Sequence, residues 1–145
     1  MLFTTNSATE TELIGERLCK ALIARGDTRA FIAMRGEMGV GKTAFVRGFA
    51  RTLGVVGVKS PTYTIVNEHR GKRNLFHFDM YRITDGDDLY SIGYDDYVNA
   101  EGFCIAEWSE NIEAELPTWR IDVTIERTPD DPNARKIKIS DGLQI

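Results

Sequence analysis

Ala30-Phe31-Ile32-Ala33-Met34-Arg35-Gly36-Glu37-Met38-Gly39-Val40-Gly41-Lys42-Thr43 is the stretch from which the fold is read. Its first five residues are continuously apolar, which suits a strand buried on both faces, as in a parallel sheet covered by helices. The segment from Gly36 to Thr43 then matches G-x-x-x-x-G-K-[ST], the Walker A pattern, at every fixed position. The glycines let the backbone curl so that several N–H groups point inward at phosphate oxygens. A helix that follows directs its positive N-terminal end at the same anion. In that arrangement Lys42 sets a charge on the β- and γ-phosphates, and Thr43 offers a hydroxyl to Mg²⁺. Phe45, Val46, Phe49, Ala50 and Leu53 fall on one helical face, so a helix is predicted from Thr43 to about Leu53, closed by Gly54. Glu37, Met38, Gly39, Val40 and Gly41 complete the expected ATP-binding loop.

Upstream, Ser7-Ala8-Thr9-Glu10 has the capping-box form. Leu13, Ile14, Leu18, Ala21 and Leu22 follow at helical spacing, which predicts a helix over about 7–24 with Gly26 as its stop. Downstream, Ser60-Pro61-Thr62 reads as a loop, because proline does not sit inside a central strand. Residues 62–68 alternate and are rich in β-formers, Arg70-Gly71-Lys72-Arg73 reads as a turn, and 74–78 returns as a strand ending at Asp79. The acidic stretch 79–101 is expected to be helical around Leu89 and Tyr97. Phe103-Cys104-Ile105-Ala106 is a second buried run, ending at Glu107-Trp108. Ser109 is placed as the cap of a short helix ending before Pro117. Ile121, Val123 and Ile125, then Ile137 and Ile139, alternate with polar residues across a turn at 129–133, which predicts a hairpin with one solvated face. The expected architecture is α/β: a P-loop NTPase-like, mostly parallel central sheet flanked by helices, with a C-terminal antiparallel hairpin, over 1–145 as one domain.

Composition bounds the partners. The net charge is −4, whereas a chain that grips nucleic acid alone carries a basic excess. Cys19 and Cys104 have no partner at metal-ligand spacing, and His69 and His77 add no zinc pattern. Both thiols read as buried small hydrophobes in a reducing compartment. No leader pattern and no apolar run of membrane-spanning length is present, so a cytoplasmic location without membrane attachment is expected.

In open α/β sheets ligands bind at the carboxyl ends of strands. Asp79 and Glu107 each end an apolar strand, so both are expected to face the loop. One carboxylate would hold Mg²⁺ and the other would orient water or the γ-phosphate; sequence leaves their division open. Thr62 is placed in a loop of the kind that senses the γ-phosphate. Arg82 is weighed as a charge-stabilising arginine against a surface side chain, and Trp108 as half-buried packing against a base-stacking platform. Two other classes compete with an ATPase: a small-molecule kinase, whose basic lid would have to be Arg70–Arg73, and a nucleotide-dependent binding switch. The Asn-Lys-x-Asp pattern that reads guanine is absent from the chain.

Taken together, the 36–43 loop, Ser60-Pro61-Thr62-Tyr63-Thr64, His77-Phe78-Asp79-Met80-Tyr81-Arg82 and Glu107-Trp108 resemble the TsaE family, the ATPase subunits of the bacterial machinery for threonylcarbamoyladenosine in tRNA. The resemblance runs from about Thr11 to Arg135. It implies a P-loop protein of low intrinsic ATPase activity that acts with TsaB and TsaD and meets tRNA indirectly, through the complex. ATP turnover then resets that complex between rounds. Residue by residue, it implies that Lys42 contacts phosphate, that Thr43 and Glu107 hold Mg²⁺, and that Asp79 is the essential acid near the γ-phosphate. It further implies that Thr62 lies in the switch-like loop and that Thr11 and Arg135 touch the nucleotide. Met38 and Met80 depart from the commoner residues of the family at positions that carry no chemistry.

Overall fold

Residues 29–35 form a strand, β2 (Arg29–Arg35), whose interior is fully buried, because other strands flank it on both sides and helices cover both faces. The computed structural model describes residues 1–59, 65–140 and 145. The remaining strands are β1 (Leu2–Thr5), β3 (Val66–His69), β4 (Leu75–Asp79), β5 (Gly102–Glu107), β6 (Ile121–Arg127) and β7 (Arg135–Ile139). The helices are α1 (Ala8–Arg25), α2 (Lys42–Thr52), α3 (Gly86–Ser91) and α4 (Tyr94–Asn99), with a kinked 3₁₀ segment at Ser109–Glu115. All the strands join one sheet in the order β1-β7-β6-β2-β5-β4-β3. The centre, β6-β2-β5-β4, is parallel, and β1, β7 and β3 pair antiparallel at the two sides.

Alternation along the strands sorts the core into two layers. Ile32 and Met34 of β2 and Phe103 and Ile105 of β5 pack under α1 and α2, with Leu18, Leu22, Phe45 and Phe49. Phe31 and Ala33, with Cys104 and Ala106, face the other way, onto Leu89, Tyr94, Ile112 and Leu116. Leu75 of β4 belongs to the first layer and Phe76 and Phe78 to the second. Residues 77, 79 and 107 therefore project on the face that carries α2, at or near the carboxyl ends of their strands.

The sequence expectations hold for most elements, and the differences are physical. Ser7 is the N-cap of α1, its hydroxyl accepting from the Glu10 N–H, and Gly26 ends the helix in the left-handed region. Glu10 reaches back to the N–H of Asn6, one residue short of the capping-box partner. Leu13, expected on the apolar face, is 47% exposed, and Cys19 takes a core position instead. Ser109 lies inside its 3₁₀ segment, which Trp108 caps; its hydroxyl donates to the carbonyl of Ala106. The segment 2–5 gives no sequence signal yet forms β1, zipped onto β7. Both cysteines are buried and free, and burial pushes each thiol up to about 12. No helix among the described residues is long and apolar enough to cross a membrane.

Candidate nucleotide-binding site

The loop after β2 is shaped by backbone that only glycine adopts easily. Gly36, Gly39 and Gly41 have φ of 151°, 75° and 117°. A Cβ on Gly36 would stand 2.6 Å from the carbonyl oxygen of Ile125, so the loop lies directly on the edge of β6. Val40 is its anchor, buried in the core below. The hairpin braces the loop from the side. Arg135 Nε donates to the carbonyl of Val40 at 2.7 Å. Arg127 donates to Glu37 Oε1 at 2.8 Å and to the carbonyl of Met38 at 3.2 Å.

Helix α2 begins at once, and its N-cap, Gly41, supplies no capping side chain. The start of the helix, with Lys42 and Thr43, lines the cleft, and a helix N-terminus favours an anion at that place. Lys42 is buried, and its Nζ donates to the carbonyl of Gly36 at 2.5 Å. The same ammonium stands 3.8 Å from the centroid of the Trp108 ring. Desolvation lowers the Lys42 pKa, opposed by the nearby carboxylates of Glu107, Glu110 and Asp79.

The two acidic strand ends stand side by side, because Asp79 pairs with Glu107 in the parallel register of β4 and β5. Asp79 is half-buried and its pKa is raised, chiefly by desolvation. The hydrogen bond from the Tyr81 N–H to its Oδ1, at 3.0 Å, works in the opposite direction. Glu107 is only 4% exposed, and its Oε2 lies 2.5 Å from Nε2 of His77, which is wholly buried. Trp108 follows at φ 59°, the one non-glycine residue at positive φ among those described. Such backbone persists where the surroundings impose it and clusters at functional sites. The rings of Tyr81 and Trp108 meet at 5.0 Å between centroids.

These groups line one cleft of about 420 Å³: Met38, Gly39, Gly41, Lys42 and Thr43 from the loop side, and Asp79, Tyr81, Glu107 and Trp108 from the strand ends. A larger hollow, about 710 Å³, lies against α3 and α4. It has neither a glycine cradle nor an ammonium, so size alone does not mark the site. Of the remaining expected residues, Thr11 is buried beside the loop. Its hydroxyl pairs with that of Thr5 at 2.8 Å, and its methyl group lies 4.0 Å from where a Cβ on Gly41 would stand. Arg135 spends its contacts on the loop backbone and on the carbonyls of Pro132 and Ala134. Glu37 points to Arg127. Arg82 is exposed, and Thr62 lies outside the described residues. Sequence reading gave no role to His77, Tyr81 or Arg127. For His77 a signal was present: it stands two residues before Asp79 on the same strand and so on the same face.

The donors fit a magnesium nucleotide. Among the described residues no cluster of three or more metal-ligating side chains exists. A hydroxyl at Thr43 and carboxylates at Asp79 and Glu107 are hard oxygen donors. Mg²⁺ takes one or two such ligands, with the rest from phosphate and water.

A family model described as "Threonylcarbamoyl adenosine biosynthesis protein TsaE" matches residues 5–137. The chain belongs to the TsaE family. The match runs from the end of β1 into β7 and so contains the cleft residues. The tRNA threonylcarbamoyladenosine biosynthesis protein TsaE of Bacillus subtilis (strain 168) is 39% identical over 124 residues, 84% of this chain and 75% of the relative. The protein of the same name in Haemophilus influenzae is 36% identical over 128 residues, 86% and 79% of the two chains. The crystal structure of Bacillus subtilis YdiB superposes with a TM-score of 0.78 at 31% identity, covering 96% of this chain and 83% of that one. The TsaE-family fold is thus a mixed, seven-stranded α/β sheet of P-loop NTPase type.

Proposed function

We propose that this TsaE-family protein, one P-loop ATPase domain over 1–145, binds ATP with Mg²⁺ in the 420 Å³ cleft and hydrolyses it slowly. It acts in the cytoplasm with TsaB and TsaD in threonylcarbamoyladenosine modification of tRNA, where its ATP turnover resets the complex between rounds. The observation that carries the reading is convergence. The uncapped start of α2, Lys42, Thr43, Asp79 and Glu107 all meet at the carboxyl ends of parallel strands.

The backbone N–H groups of the 36–43 loop and the start of α2 cradle the phosphates, and Lys42 exchanges its bond to Gly36 for the β- and γ-phosphates. Thr43 and Glu107 would hold Mg²⁺, which when bound neutralises charge developing on the transferred phosphoryl group. Asp79 orients the attacking water, and its raised pKa suits a group that handles a proton. Thr11 and Arg135, beside the loop, would touch the nucleotide, and the switch-like role implied for Thr62 belongs to this reading as well. Among the described residues lining the cleft, Lys42 is the one cation. An arginine finger is worth roughly 10³–10⁵ in rate, so a site that works without one turns over slowly until a partner completes it.

The test is ATP hydrolysis by the purified protein with Mg²⁺, alone and with TsaB and TsaD added. Hydrolysis should be slow alone and rise with the partners. It should fall by roughly 100-fold or more in Lys42→Ala and Glu107→Ala, the scale of losing a transition-state charge contact. Stimulation by a small hydroxylated metabolite, with a phosphorylated product and no response to the partners, would make the protein a kinase instead.

A further inference from the structure

His77 is a buried polar residue in the middle of a core strand, where its neighbours Leu75, Phe76 and Phe78 are all packed apolar side chains. Burying an imidazole there is costly unless its nitrogens are satisfied, and only one of them is. Nε2 meets Glu107 Oε2 at 2.5 Å, whereas Nδ1 finds no hydrogen-bond partner among the described residues. The ring is thus held through Nε2 alone. A group that the fold keeps at such a cost calls for a reason, and the contact it secures is with a carboxylate that lines the cleft.

We infer that His77 is a positioning residue: it clamps one oxygen of Glu107, fixes that side chain's rotamer at the end of β5, and thereby sets the affinity of the cleft for the nucleotide's divalent cation. The inference rests on the proposed function, in which Glu107 is a metal ligand. The register of β4 against β5 makes the clamp possible. His77 sits opposite Ile105, one alternation below Glu107 on the same face, so the ring reaches the carboxylate diagonally from beneath and stays out of the cleft. Groups that orient metal ligands from behind typically contribute roughly 10–100-fold in metal affinity.

The experiment uses the full chain with ATP and titrates Mn²⁺, followed by electron paramagnetic resonance, for wild type, Glu107→Gln, His77→Phe, His77→Asn and the double variant His77→Phe/Glu107→Gln. Metal-free ATP affinity and Tm are measured beside it. Glu107→Gln comes first. If it leaves Mn²⁺ affinity unchanged, the proposed metal site fails and the inference with it. If Glu107→Gln weakens Mn²⁺, His77→Phe should weaken it by roughly 10–100-fold and alter the Mn²⁺ spectrum. ATP binding without metal should stay within about twofold, since the clamp acts on the cation's ligand alone. His77→Asn, too short to reach Glu107, should show the same loss, and carries the test alone if the Phe variant does not fold. In the double variant, the change at His77 should add nothing to that at Glu107. Wild-type Mn²⁺ affinity in the His77 variants, an additive loss in the double variant, or equal losses of ATP binding with and without metal would each overturn the inference and leave the Glu107 site standing.

Discussion

At Asp79 the protein keeps a carboxylate where burial works against its charge. Desolvation raises its pKa, and the Tyr81 N–H offsets only part of that. A raised folded-state value means that the native protein binds more protons than the unfolded chain between the two pKa values. Stability attributable to Asp79 therefore falls as pH rises through that window, and the penalty is complete above the folded-state value. Asp79→Asn removes the charge and keeps an acceptor for Tyr81. The variant should melt at a higher temperature than wild type at pH 7, the difference narrowing as pH falls toward 4. Its ATP hydrolysis should drop by roughly 100-fold or more, as for loss of a group that handles a proton. A lower Tm at pH 7 would mean that the carboxylate stabilises the fold. At the same scale, the sequence displays Lys42, Thr43, Asp79 and Glu107 because a fixed motif and two apolar runs ending in an acid are local features. It does not display the role of His77. That depends on how β4 is set against β5, and the register of two strands separated by the helices α3 and α4 is decided by tertiary packing.

Helices α1 and α2 touch through glycines, and here propensity and packing disagree. A Cβ on Gly48 would lie 1.8 Å from the carbonyl oxygen of Glu12, and one on Gly15 would lie 2.2 Å from that of Phe45. Both are backbone atoms that cannot swing aside. In an isolated helix, Gly→Ala gains about 1 kcal/mol. In this pair Gly48→Ala should instead cost roughly 3 kcal/mol or more, because it forces apart two packed helices. Urea unfolding measures it, and a stabilised variant would refute the close approach. Since α2 also carries Lys42 and Thr43, this contact holds the phosphate loop against the sheet. Strand β1 shows what element-level reading misses. Four residues, with Leu2 at 60% exposure, form a strand because β7, from the far end of the chain, offers them an edge. The Met1 ammonium donates to the carbonyl of Ile139 at 2.7 Å to finish that pairing. No local periodicity announces such an element, whereas β2 and β5 announce themselves as runs buried on both faces.

Across the whole molecule, one end of the sheet is given to the cleft, and the face behind it to α3 and α4. Asp87, Asp88, Asp95 and Asp96 stand in the first turns of those short helices, where negative charge favours the helix start. The candidate nucleotide site lies on a small single sheet, and among the described residues one cation, Lys42, lines its cleft. These features suit the proposed role as a subunit whose ATP turnover is set by a complex and serves it. The measurement that tests this most directly is reconstituted tRNA modification by TsaD and TsaB with the threonylcarbamoyl donor, counting threonylcarbamoyladenosine formed per TsaD over time. With this protein and ATP, modification should continue through many rounds. Without it, or with Glu107→Ala in its place, modification should stop after the first. Continued rounds with the Glu107→Ala variant at the wild-type rate would contradict the account, since ATP hydrolysis in this cleft would then have no part in the cycle.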